Sequence, residues 1–378
     1  MFHKNPKLVN WFKDNLPFDP IPVLFNGYHA PIRYELYKNF LNFDHDDEQL
    51  LRTEHDVKHA QRRLNLLLTL ERILNNIDKF DDSRQEEMLI KLASIVKELR
   101  FYNCSKKMTA ITKALTLLIK YQKKDGSFPV SLAGNVFIIE TIVEFGIVTN
   151  PFVEQALKWL MKQQNDDKGW GYSSAGHSDI WLTVKVLNVF SYSMKYMTNT
   201  KVKKATEFVL THLWDENPGG IVQGKEAWEN YAKDSMLEGS YIGGMISVLE
   251  VCARLNISSE DPRVAEMLEV LKSKQLNTGH WPSQSYDFYN RRSDERVTMR
   301  VVRLLRLFYI MPLQGSATIK TFKIKQDGRT SAKKPGFIID PEAYQKPEDR
   351  SRNMEEEVSP YEEELKRNTK ELEKTGNE

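Results

Sequence analysis

The chain has 378 residues, 40% hydrophobic and 11% aromatic, enough for one large domain or two ordinary ones with a sizeable core. Its 54 basic and 52 acidic residues nearly cancel, which gives no strongly basic face for nucleic acid as the main partner. The two cysteines, Cys104 and Cys252, stand far apart with no CxxC, so neither a disulfide framework nor a cysteine zinc site is expected, and a reducing, cytoplasmic setting is.

In chain order, residues 1–29 are Pro-rich, and NLPFDPIPVLF is expected to be an extended lead-in because proline interrupts a helix. MFHKNPKLVNWFKDNLPF has no uninterrupted apolar core and no small-residue cleavage site, so a signal peptide is not expected. No run approaches the roughly 18 apolar residues that a membrane span needs. Residues 30–104 predict helices from APIRYELYKNFLNF, TEHDVKHAQRRLNLLLTLERILNNI and SRQEEMLIKLASIVKELRFY.

Residues 105–312 repeat themselves. KALTLLIKYQKKDGSF, residues 113–128, ends an amphipathic helix in Gln122, a Gly126 turn and Phe128. QALKWLMKQQNDDKGWGY and VAEMLEVLKSKQLNTGHW repeat that ending with Gln164 and Gln275, and KKATEFVLTHLWDENPGGI repeats it in degenerate form. The turn glycines Gly126, Gly169, Gly220 and Gly279 lie 43, 51 and 59 residues apart, the drifting period of a repeated supersecondary unit. After each turn a second, more apolar helix is predicted. SDIWLTVKVLNVF and SDERVTMRVVRLL share Ser-Asp-x3-Thr, and Asn135 and Ser240 take the Asp place in the other copies. All four are good helix N-caps. Apolar helices such as FIIETIV suit an inner layer and polar-striped ones such as VEQALKWLMKQQ an outer one.

The Leu-x3-Gln, Gly, aromatic ending resembles the QW repeat of terpenoid cyclases. The hairpins are similar to those of the wider α/α-toroid superfamily, which includes squalene–hopene cyclases and protein prenyltransferase β subunits. The resemblance covers about Lys106 to Met311 and implies an all-α, (α/α) toroid in which Gln122, Gly126 and Phe128 are structural ties. It implies no single reaction, because one fold hosts many.

The chemistry of those relatives is only partly represented. A cyclase acid needs a carboxyl group kept protonated among neighbours in a dry cavity. The one Asp-x-Asp-Asp match, Asp44-His45-Asp46-Asp47, lies upstream of the repeats at a helix start and reads as a solvated cap. Cys252, within SVLEVCARL, reads as core rather than as a zinc ligand, and no metal or other cofactor is expected. The remaining candidates gather where inner-helix N-termini converge: Asp179, Asp294 and Glu238 for acid–base work, with His177, Trp181, Tyr241, His280 and Trp281 nearby. Lys185 and Arg300 stand six residues after the capping Asp of their helices and would hold an anionic head group, with Glu140 as counter-charge. The bland alternative makes the aspartates caps and lets the cations snorkel outward.

Residues 313–340 predict a short extended segment. From Pro341 onward 12 acidic and 7 basic residues with few aliphatics predict a disordered acidic tail, a possible contact for a protein partner. The leading expectation is a small amphiphilic or isoprenoid ligand in the central cavity. The rivals are a non-enzymatic interaction scaffold and a carbohydrate-active lyase.

Overall fold

The computed structural model describes residues 5–76, 84–172, 177–215, 228, 244–282 and 293–310, with backbone alone at 293 and 294. The chain divides into two compact units, Met1–Thr321 and Phe322–Glu378; the second, the expected extended segment and the acidic tail all lie outside the described residues. Every regular element among the described residues is a helix, joined by one isolated β-bridge between Trp170 and Asp179.

The stretch expected to be extended is helical instead: α1 spans Pro6–Asn15 and α2 spans Ile21–Phe25. Pro6 and Pro22 sit in first turns, where the missing N–H has no intrahelical partner to lose, while Pro17 and Pro20 lie in the non-helical link between the two helices. Next come α3 (Ala30–Glu35), which runs into a π turn at Leu36–Phe40, and α4 (Glu48–His59). Asp47 caps α4, its carboxylate accepting from Gln49 N at 3.0 Å, so the Asp-x-Asp-Asp match is a helix cap. The single helix expected over the following residues breaks at Ala60 (ψ 123°) before α5 (Gln61–Asn75), and the Arg63 guanidinium donates to the Lys58 carbonyl beside the break at 2.7 Å. α6 spans Gln85–Phe101.

The repeats then supply α7 (Thr109–Lys120), α8 (Leu132–Glu144), α9 (Pro151–Lys162), α10 (Ile180–Phe190), the single turn α11 (Met194–Met197) and α12 (Thr200–Thr211). They end with α13 (Met245–Arg254), α14 (Pro262–Ser273) and α15 (Ser293–Leu305), which continues as a π turn at Arg306–Ile310. The outer helices start alike. Asn150, Asn199 and Asp261 each accept from a first-turn backbone N–H, and proline opens α9 and α14. α8 is buried without interruption from Gly134 to Val143, as an inner helix should be.

Packing follows the two-layer plan, with one difference from the hairpin reading. Each outer helix packs on the inner helix that precedes it: α7 on α6, α9 on α8, α12 on α10 and α14 on α13. The inner helices follow one another as α6, α8, α10, α13 and α15, and α15 returns to α2 and α3, as a toroid requires.

Glutamine-centred ties hold each turn. Gln122 Nε2 donates to the Gly126 carbonyl and to Phe152 O at the start of α9, both at 2.9 Å. Gln164 repeats this with Lys168 O and Lys201 O at the start of α12 (2.8 and 3.1 Å). The backbone N–H of the turn aromatic donates to a side chain inside the following helix: Phe128 to Asn135, Trp170 to Thr183 and Trp281 to Thr298. Both tryptophan indoles then reach back ten residues, to Leu160 O and Leu271 O.

These bonds correct the sequence register twice. Lys168 (φ 79°), and not Gly169, holds the left-handed place of Gly126 (φ 102°) and Gly279 (φ 86°). Asn135 matches Thr183 rather than Asp179, because Ser131 is the cap of α8. The turn at Gly220 and the start of the degenerate fourth copy, including Ser240, lie outside the described residues.

Candidate functional site

Inner helices α6, α8, α10, α13 and α15, together with α3 and its π turn, surround one cavity of about 770 Å³. Helical spacing places the lining residues: Glu140 and Glu144 on α8, Ser247, Glu250 and Arg254 on α13. On α6, α8 and α10 the lining lies toward the C-terminal ends, as Arg100, Glu144 and Tyr192 show.

Charged side chains join neighbouring inner helices into a belt. Lys97 of α6 donates to Glu140 of α8, whose other oxygen accepts from Asn188 of α10 at 2.6 Å. Asn188 in turn accepts from Arg254 of α13 at 2.7 Å. Glu250 of α13 binds Arg300 of α15 through two bonds, at 3.2 and 2.9 Å. Arg303 then closes on Glu35 of α3 at 2.7–2.9 Å. Such planar, bidentate guanidinium–carboxylate pairs are the stronger kind of charged hydrogen bond.

Lys185 Nζ lies 3.6 Å from Glu140 Oε2, so the anticipated counter-charge is in place. The side chains of Lys97 and Lys185 keep 21% and 19% of their surface open, both lining the cavity. Burial by itself would raise the Glu140 carboxyl, but the charges of Lys185 and Lys97 and the bonds from Lys97 and Asn188 outweigh it and hold the group at about 2. The two lysines part company. Burial pushes both down, yet Glu140 and Glu144 carry Lys97 above its usual value, while Lys185, facing Lys97 and Arg300, stays below.

Basic side chains outnumber acidic ones on the wall by ten to four. All four carboxylates, Glu35, Glu140, Glu144 and Glu250, are engaged by cations. Arg254 lies 4.8 Å over the Tyr192 ring and Arg296 4.2 Å over Phe101, a geometry that holds guanidinium groups without neutralising them. The C-terminal helix ends favour nearby cations by about 0.3–1 kcal/mol each, which adds to their seating.

Of the residues singled out from sequence, Lys185 and Arg300 line this cavity. Asp179 is the buried cap of α10, accepting from Leu182 N at 2.7 Å, and burial raises its carboxyl despite bonds from Leu182 and Trp181 N–H. Trp181 is fully buried against Trp228, and Trp281 is core. His177 is exposed, and His280 Nδ1 stands 3.2 Å from Thr278 Oγ1. The side chains of Asp294, Glu238 and Tyr241 lie outside the described residues. Cys252 is buried in α13, its thiol pushed up to about 12 by burial and Asp261.

Lys97, Asn188, Glu250 and Arg254 were missed. Their common signal is a charged or amide side chain at helical spacing from others within an otherwise apolar helix, the feature that marked Lys185 and Arg300.

Residues 85–186 match the family model of the squalene-hopene cyclase C-terminal domain. The matched stretch runs from the start of α6 into α10 and so carries the first two turn ties and the Lys97–Glu140–Lys185 cluster. Over that stretch the chain is squalene-cyclase-like, in agreement with the repeat pattern. Among the described residues no helix is long and apolar enough to cross a membrane.

Proposed function

We propose that this squalene-cyclase-like protein binds an anionic small molecule in its inner-helix cavity. The observation that carries the reading is the ten-to-four excess of basic side chains on a wall whose carboxylates are already engaged. A hydrocarbon chain placed among these groups would strip water from charges and return no hydrogen bonds. An isoprenoid therefore fits through a diphosphate or carboxylate head group, with Arg254, Arg296 and Lys185 facing it.

Thermal unfolding with inorganic diphosphate, geranyl diphosphate and geraniol tests the reading. Both diphosphates are expected to raise Tm, since a ligand at about 100 times its Kd stabilises by about 2.7 kcal/mol. Geraniol is expected to leave Tm unchanged. A shift with geraniol alone would overturn the anionic reading in favour of an apolar one.

The belt itself supports a second reading, in which the linked charges form a polar core for an interaction scaffold. No shift with any of the three compounds favours that reading.

A further inference from the structure

We propose that Lys185 is a nucleophilic amine that forms a Schiff base with an anionic aldehyde or ketone held in the cavity. This rests on the anion-binding reading and adds the ligand's carbonyl group to it.

The geometry begins with two lysines that share one carboxylate. Glu140 accepts from Lys97 and from Asn188, so both its oxygens are engaged. Lys185 stands beside this pair at 3.6 Å, on the cavity wall. Among the described residues, Glu144 on α8 and Arg300 on α15 also act on it, and Glu250 and Arg254 on α13, with Tyr192 just past the end of α10, line the same cavity. Glu250 is bound by Arg300 and Glu144 by Lys97 and Arg100, which leaves a cationic surround. A lysine that is desolvated and set next to other cations is the one that presents a neutral amine. Lys97, donating to Glu140, is held above its usual value and keeps the fixed charge, while Lys185, pushed down by burial and by the charges of Lys97 and Arg300, is the readier of the two to give up a proton.

The reaction follows from that assignment. The Lys185 Nζ lone pair attacks the carbonyl carbon, a C–N bond forms, and the C=O π pair moves to oxygen, which takes a proton. The carbinolamine oxygen takes a second proton as nitrogen releases one, then leaves as water while nitrogen supplies the C=N bond. The net change is uptake of one proton and release of one water. The product is a cationic iminium, placed where Glu140 supplies the counter-charge. Addition of water reverses the sequence.

Pyridoxal 5′-phosphate and pyridoxal are suitable probes, one anionic and one not. The full chain is incubated with each at neutral pH and reduced with borohydride, and the modified lysines are mapped by peptide mass. Lys185 is expected to dominate the map with the phosphorylated probe, at least about tenfold faster than with pyridoxal, and inorganic diphosphate is expected to protect it. Its labelling rate should rise through a midpoint below the roughly 10.4 of an ordinary lysine. Lys185→Arg, which removes the primary amine, is expected to lose the adduct. Labelling spread over exposed lysines, with Lys185 unmodified, overturns the proposal. If diphosphate still raises Tm in that case, the anion-binding reading stands; if it does not, both fall. Should Lys185→Arg fail to fold, the wild-type map and its protection by diphosphate decide.

Discussion

The side-chain amide of Gln275 donates at 2.8 Å to the carbonyl of Phe18, 257 residues earlier in the chain, and also at 3.2 Å to Gly279 O. The same two bonds are made by Gln122 to Phe152 and Gly126 and by Gln164 to Lys201 and Lys168. Phe18 thus stands where the start of the next outer helix stands in the other repeats. The glycines agree: a Cβ on Gly279 would lie 2.8 Å from Asp19 O, as one on Gly126 would lie 2.4 Å from Gln155 O in α9. Nearby, Glu295 accepts from Tyr28 N at 2.8 Å and His29 N at 3.0 Å. The last repeat is completed by the first residues of the fold.

Gln275→Ala is therefore expected to cost about 0.5–1.5 kcal/mol, the usual net worth of a hydrogen bond. The check is urea unfolding, paired with limited proteolysis. Cleavage should appear near residues 16–20 in the variant, and unchanged resistance there would show that the tie is not what holds the segment.

Lys168 carries a side chain at a left-handed position that glycine holds in two other turns. Lys168→Gly is expected to stabilise by about 0.5–1 kcal/mol, since relief of the backbone strain outweighs the added freedom of the unfolded chain. A lower Tm in the variant would contradict this.

Asp179→Ala should cost about 1 kcal/mol as a lost helix cap, and Asp179→Ser much less. Neither is expected to change diphosphate affinity, because the carboxylate binds the first turn of its own helix and does not line the cavity. Calorimetric titration of both variants checks the second point. A large loss of affinity with fold intact would return Asp179 to the list of site residues.

Glu140→Ala removes the carboxylate from two partly buried cations and is expected to destabilise by about 3–5 kcal/mol. The pH dependence has a definite sign. Glu140 is held at about 2 against an ordinary 4.5, so its contribution is full above about pH 4.5 and is lost as pH falls toward 2. Stability measured from pH 6 to 2 should fall in that window, and Glu140→Gln should flatten that part of the curve.

Much of this arrangement was legible in the sequence. Gln122, Gln164 and Gln275 recur at one distance from their turns because each performs the same bond, and Lys185 stood out because a cation inside TVKVLNVF must find a partner. Glu140, the partner named for it, stands 3.6 Å from its amine. Periodicity shows which residues share a helix face; it does not show which end of the helix faces the cavity. Asp179 and Lys185 share a helix, yet one caps its start and the other lines the wall. Nor could local pattern reveal Phe18 and Asp19, which belong to no repeat and act through backbone atoms that carry no residue signature. The one-residue shift from Lys168 to Gly169 was hidden because two glycines flank Trp170 and only backbone dihedrals tell which residue turns the chain.

The tie between Gln275 and Phe18 bears on the order of events during synthesis. Early inner helices can pair as soon as each emerges, but the final repeat finds its complement only after some 257 residues of chain have accumulated. Until then Lys97, Glu140 and Lys185 face open water on an unfinished arc, and their hydration is not yet lost. The cost of enclosing those charges falls in the last step of folding, when the opposite wall bearing Arg300 and Arg303 arrives. Contacts so distant in sequence are slow to form. A ribosome-bound chain truncated before α14 is thus expected to hold helices and turns but no enclosed cavity, which would come into being only with the completed circuit.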